Sequence, residues 1–225
     1  MRVSTDPSAA EWVAVGTNTL QSRAGGFVPA AYPSYARILH SVGIGDGLRC
    51  TWRAYAEVSR NRLNPDSQWQ DIVEQDEELV SAAPRRGSLS VKEAASLAGV
   101  LARFTKVPDQ CFFGLWEGWA RTEHPPGPRF ESSKRAMTLW EGTVADASLS
   151  FEPSPGQRIA NLWWPADHAW FVTTEIDFDS TIVAGSPSCI KAVASDSGLE
   201  VFEISADLNL TRKQHPPDDS LNALS

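Results

Sequence analysis

Glu175, Asp177 and Asp179 stand at alternate positions of a run in which Trp170, Val172, Thr174, Ile176 and Phe178 take turns with Phe171, Thr173, Glu175, Asp177 and Asp179. In an extended chain alternate residues share a face, about 6.6 to 6.8 Å apart. Three carboxylates in that register could converge on one hard divalent cation or present an acidic face to a basic partner. A bound cation would activate water, the chemistry of a hydrolase. His168 stands seven residues before Glu175, and an imidazole paired with a carboxylate can move a proton. Plainer roles compete with each. An antiparallel sheet shows one polar face to water, the run lacks the tight glycine turn of a calcium loop, and Asp167-His168 suits a solvated turn. The solvent-facing reading is preferred, with Glu175, Asp177 and Asp179 as the metal candidates and His168 with Glu175 as the catalytic ones.

Other chemistry is sparse. His40, His124 and His215 stand alone, without H-x-H or H-E-x-x-H spacing. Cys50, Cys111 and Cys189 are three in number and far apart, which fits neither a disulfide framework nor a zinc site. Gly43-Ile44-Gly45-Asp46-Gly47 lacks the G-x-G-x-x-G pattern and the phosphate-binding Lys. Gly185-Ser186-Pro187 is not a nucleophile elbow, and Ser186 suits a helix cap. No cofactor is implied.

Tryptophan is the unusual ingredient, nine in 225 residues. Indoles bury large areas and recur at the energetic centres of interfaces. Trp116, Glu117 and Trp119, the pair Trp163 and Trp164, and the carboxylates Asp177 and Asp179 are the binding candidates. Neighbours on a strand face opposite ways, so one of Trp163 and Trp164 is expected at the surface or beneath a loop. Trp116, Trp119 and Trp163 could instead line one small-ligand pocket.

Elements must position these groups, and periodicity supplies several. Ser90-Val91-Lys92-Glu93 is a capping box, and Ala94, Leu97, Ala98, Leu101 and Phe104 then recur on one helical face, predicting a helix from Val91 to about Phe104. Thr51 is an N-cap for a short helix over 51–60. Ser186 and Pro187 open a helix that Gly198 follows. Strands are expected at Glu11 to Val15, Tyr32 to His40, Cys111 to Ala120, Arg135 to Val144, Trp170 to Asp179, Ser180 to Ala184 and Val201 to Ile204. Residues 1–10 read as loose, and 66–80 as helix or ordered loop. Leu-Trp-Glu-Gly occurs at Leu115 to Gly118 and Leu139 to Gly142, two copies, too few for a repeat array and suited to neighbouring strands. The expected fold is α+β: a mainly antiparallel sheet with about three to four helices, closing on a hairpin-helix-strand unit. One domain over 1–210, with a seam at 148–158, precedes a flexible tail over 211–225.

Three blocks carry a resemblance. Val28-Pro29-Ala30-Ala31-Tyr32-Pro33-Ser34-Tyr35-Ala36-Arg37-Ile38-Leu39-His40, then Leu115-Trp116-Glu117-Gly118-Trp119, then Asn161-Leu162-Trp163-Trp164-Pro165-Ala166-Asp167 continuing through Thr174-Glu175-Ile176-Asp177-Phe178-Asp179-Ser180-Thr181 to Gly185-Ser186, resemble a group of uncharacterised actinobacterial proteins. The resemblance implies no activity, cofactor or catalytic residue.

Charge narrows the partners. With 20 basic against 28 acidic side chains the chain carries −8, which disfavours nucleic-acid phosphates and anionic membrane surfaces. The start of the chain lacks an apolar leader, and nowhere do about 18 apolar residues run together, so a cytoplasmic protein without a membrane span is expected. The favoured function is a protein-interaction module, immunity-like or regulatory, whose acidic and aromatic surface meets another, basic, protein. The alternatives are a divalent-cation-dependent hydrolase using the 175–179 carboxylates and a small-ligand binder with a Trp-lined pocket.

Overall fold

Runs of β-branched and aromatic residues pair side by side through most of the chain, seen here in a computed structural model describing residues 1–16, 22–43, 49–73, 83–119, 125–153 and 157–211. Strands β1 (Arg2–Val3), β2 (Ser34–Leu39), β3 (Val42–Gly43), β4 (Arg49–Cys50), β5 (Cys111–Trp116), β6 (Arg129–Ser132), β7 (Arg135–Gly142), β8 (Leu162–Pro165), β9 (Trp170–Thr173), β10 (Ser180–Gly185) and β11 (Glu200–Ile204) alternate with helices α1 (Glu11–Gly16), α2 (Trp52–Ser59), α3 (Trp69–Val73), α4 (Val91–Leu101) and α5 (Pro187–Ala194). Nine strands form one antiparallel sheet in the order β1, β7, β5, β8, β9, β10, β2, β11, with β6 also on β7; β3 and β4 form a separate ribbon. The fold is α+β, as expected. The two Leu-Trp-Glu-Gly copies do fall on neighbours, β5 and β7, with Gly114 opposite Leu139.

Register sorts the core into layers. Phe113, Trp163, Val172, Val183 and Ala36 are successive cross-strand partners and pack beneath α4 and α5. Their neighbours Leu162, Trp164, Phe171, Ile182 and Tyr35 face the other way, beneath Ala10, Val13, Phe27 and Leu210. A third cluster, Leu39 with Trp52, Trp69 and Ile72, holds α2 and α3 against the end of β2. Every residue of β8, β9 and β10 is buried. Each fully buried indole removes roughly 150–250 Å² from water, about 4–6 kcal/mol at 25 cal/mol per Å², so Trp52, Trp163, Trp164 and Trp170 anchor the layers.

The predicted caps are present. Thr51 Oγ accepts from Ala54 N at 3.2 Å, and Ser186 Oγ accepts from Cys189 N at 3.2 Å. Ser90 and Glu93 complete the capping box, Ser90 N donating to Glu93 Oε2 at 2.9 Å. Three expectations need correction. Glu11 to Gly16 is helical, because Asp6 caps Ser8 N, Pro7 starts a 3₁₀ turn and the chain continues from it into α1. Arg2 and Val3 are ordered as an edge strand on β7. The strand expected to reach Asp179 stops at Thr173, and Phe178 N closes a turn on Glu175 O at 3.0 Å. Of the 66–80 segment, Trp69–Val73 is helical; Glu74 onward, and the tail from 212, lie outside the described residues. Among the described residues no helix is long and apolar enough to cross a membrane.

Candidate functional site

The end of the sheet where β5 finishes and β8 begins is organised by one buried amide, Asn161, which is 1% exposed. Its Oδ1 accepts from Trp116 N at 3.1 Å and Trp119 Nε1 at 3.3 Å. Its Nδ2 donates to Gly87 O at 3.2 Å and Thr174 O at 3.3 Å. All four side-chain hydrogen-bonding positions are thus used, tying β5, β8, the chain after β9 and the Gly87 loop into one frame.

Two tryptophans rest on that frame. Trp116 and Trp119, both half-buried, meet edge to face with ring centres 4.9 Å apart. A guanidinium covers each: Arg135 lies 5.5 Å from the Trp116 ring centre and Arg158 3.9 Å from that of Trp119. Arg135 Nη2 reaches Glu175 Oε1 at 2.6 Å and Asp177 Oδ2 at 3.1 Å, while Arg158 Nη1 donates to Arg86 O at 2.8 Å. Glu117 accepts from Arg129 and, at 3.0 Å, from Thr138 Oγ1. Gly87, at φ +72°, passes between Trp119 and Ile176; a Cβ there would stand 2.9 Å from the indole and 2.6 Å from Ile176 O, so only glycine fits without displacing them.

A polar chain runs behind this surface. His40 is fully buried; its Nδ1–H donates to Arg85 O at 2.6 Å, leaving Nε2 to accept from Thr181 Oγ1 at 2.8 Å. Thr181 has one proton to give, so Thr174, 2.6 Å away, donates to it. Burial in this setting pushes the His40 pKa down to about 4, against the smaller upward pull of the Arg85 carbonyl and Glu93. Beside it Arg37, 1% exposed, donates to Ser180 Oγ, Pro65 O and Ser67 O at 3.0, 2.9 and 2.8 Å. Asp179 stands 3.7 Å from Arg37; its burial raises its pKa and the Arg37 charge opposes that.

Five of the sequence candidates, Trp116, Glu117, Trp119, Glu175 and Asp177, therefore meet at one place. The rest do not. Trp163 and Trp164 are both buried, 1% and 0% exposed, because both sheet faces are covered. Trp163 lies under α4 and α5 with its Nε1 on Ala160 O, on the opposite face from Trp116, so the three indoles expected to line one pocket do not meet. Neither a cleft of about 600 Å³ lined by Asp109, Phe112, Glu141 and Asp146 nor a cavity of about 200 Å³ beside Arg86, Asp177 and Asp179 is lined by a tryptophan. His168 lies beyond the opposite end of β9 from Glu175, stacked on Trp12 with ring centres 3.9 Å apart, so the proposed proton pair is not formed. Glu175, Asp177 and Asp179 share no strand face: the first two serve Arg135 and the third Arg37. Among the described residues no group of three or more His, Cys, Asp or Glu side chains could hold a metal ion.

Sequence reasoning missed Asn161 and the arginines. An Asn directly before the apolar run Leu162-Trp163-Trp164 was the available signal, since a polar residue entering a buried strand must find partners. The arginines gave none, being scattered through the chain. No protein-family model, curated protein or solved structure matches this sequence.

Proposed function

We propose that this chain is a protein-interaction module, immunity-like or regulatory, whose contact surface is the Trp116–Trp119 end of the sheet. One observation carries the reading: two adjoining, half-buried tryptophans, each covered by an arginine, are held in place from below by a fully bonded Asn161. Trp and Arg dominate binding energy at interfaces, and a surface already fixed in shape loses little entropy on docking. Trp12 and Trp140 also keep some exposed area, yet Trp12 stacks on His168 and Trp140 meets Phe151 edge to face, apart from one another. The expectation of a basic partner loses one support, because Glu175 and Asp177 are already engaged by Arg135, and keeps the other, the net charge of −8. We place the module in the cytoplasm, a compartment that suits its three free cysteines.

The test is affinity capture on the intact chain beside Trp119→Ala and Arg135→Gln, followed by calorimetry with the purified captured protein. Loss of a central Trp or Arg contact is expected to weaken binding by about tenfold to a hundredfold while the thermal midpoint of Arg135→Gln falls by no more than about 2–4 °C, the cost of its part-exposed ion pairs. Equal affinity for parent and both variants would overturn the reading.

A further inference from the structure

The arginine above Trp119 belongs to a group drawn from three segments. Arg158 precedes β8 and donates to Arg86 O, and Ile159 N donates to Ser88 Oγ at 3.2 Å, fastening its segment to the 85–88 loop. That loop joins the β3–β4 ribbon, since Pro84 bridges Val42 and Arg49 lies opposite Gly43. The ribbon carrying Arg49, the loop carrying Arg85 and the segment carrying Arg158, which covers Trp119, are thereby joined. Arg49 is exposed and the other two are half-exposed.

Among the described residues none of the three forms an ion pair. Burial, and the charges of Arg158 and Arg49, hold the Arg85 guanidinium below its ordinary value, so Arg85 lies within electrostatic reach of the other two. Among the described residues two carboxylates act on them. Glu93 is 8% exposed, with both oxygens committed to Ser41 N and Ser90 N at 2.9 Å each. Glu152 is buried beside the group, 8% exposed, and attracts Arg85 and Arg158. Among the described residues the three guanidiniums thus outnumber the carboxylates that act on them, on a chain whose net charge is −8.

Resting on the interaction reading above, we infer that Arg49, Arg85 and Arg158 form a docking site for an acidic peptide segment of the partner, laid beside Trp119. Guanidinium forks match carboxylates two oxygens at a time, and three of them spread over two loops and a ribbon suit successive Asp or Glu side chains on an extended segment. A long nucleic acid would meet the repulsion of the whole acidic chain. A short acidic segment spans less of that charge, and salt screens what lies beyond about 8 Å.

The experiment is fluorescence anisotropy of a labelled peptide of about a dozen residues, Asp and Glu alternating with Gly and Ser, titrated with the full chain at low and at physiological salt. Binding is expected for the parent, weakened at least about tenfold by Arg49→Glu and by Arg85→Gln/Arg158→Gln, unchanged by Arg103→Gln at an exposed site elsewhere, and reduced by salt. Arg49 is exposed, so its reversal tests the charge without touching the core. Equal binding of a Lys-for-acid peptide, indifference to Arg49→Glu, displacement by millimolar inorganic phosphate, or preference for a single-stranded oligonucleotide would each overturn the site. If peptide binding is absent while partner capture still depends on Trp119 and Arg135, the docking site fails and the interaction reading stands. Arg49-dependent peptide binding with capture indifferent to Trp119 and Arg135 supports the docking site and overturns the Trp116–Trp119 surface.

Discussion

Acid should unfold this protein through His40. The imidazole is fully buried and held neutral, donating from Nδ1 to Arg85 O and accepting at Nε2 from Thr181. An unfolded histidine takes up its proton near 6.5, whereas the folded one resists until about 4. Between those values the unfolded chain binds more protons, so stability falls as pH falls through the window and levels off below it. At 1.36 kcal/mol per pH unit the loss from this group is about 3 kcal/mol, a large part of a typical 5–15 kcal/mol total. Other acids move too. Hydrogen bonds from Ser90 and Ser41, opposed by burial, hold Glu93 below its usual range, which adds to the acid loss. Asp179 and Glu200, raised by burial, work in the opposite direction. Comparison with His40→Asn separates the terms, since Asn can keep a donor toward Arg85 O and cannot titrate. Urea unfolding of both proteins from pH 7.5 to pH 4 should show the parent losing about 3 kcal/mol more than the variant across that range. Parallel stability profiles would refute the reasoning.

Two further outcomes follow from the frame beneath the tryptophans. Gly87→Ala should cost about 1–3 kcal/mol, combining a left-handed φ of +72° with a Cβ 2.6 Å from Ile176 O, and should alter the near-ultraviolet circular dichroism as Trp119 shifts; an unchanged melting midpoint and spectrum would count against the packing described. Asn161→Leu should cost about 3 kcal/mol or more, because Trp119 Nε1 and the Gly87 and Thr174 carbonyls lose their partner; chemical denaturation measures it, and a loss below about 1 kcal/mol would remove Asn161 from its organising role.

Local chemistry made the helices legible and sheet topology made part of the strand pattern illegible. Caps act within one turn, so Thr51, Ser90 with Glu93, and Ser186 announce α2, α4 and α5 whatever surrounds them. Alternation works only where one face meets water. In β9 all four residues are buried, since α4 and α5 cover one face and the N-terminal segment the other, so the pattern from 170 to 179 carried no inside-outside information. The acidic half of that run then read as more strand, although Glu175 to Phe178 forms a turn. Glu11 to Val15 failed for a related reason: five residues with three β-branched or aromatic members suit a strand by propensity, and the Asp6 cap with Pro7 decided for a helix.

The site was half legible because its two halves depend on different distances. Trp116, Glu117 and Trp119 are neighbours in sequence, and their type alone marks them as binding candidates. The arginines of the proposed surface, Arg49, Arg85, Arg135 and Arg158, lie far apart in sequence and are linked only through the ribbon, the loop before α4 and the antiparallel pairing of β7 and β8 with β5. Net charge, averaged over 225 residues, reports −8 and hides a cationic patch that a partner would meet at contact range, because at about 8 Å of screening length in physiological salt a docking segment senses the nearest side chains and little of the rest. On the docking proposal a chain acidic overall selects an acidic segment because its own carboxylates close no ion pair with these arginines among the described residues. Among the described residues Glu93, bound to two backbone N–H groups, and Glu152, buried beside the group, attract these guanidiniums without closing an ion pair with any of them.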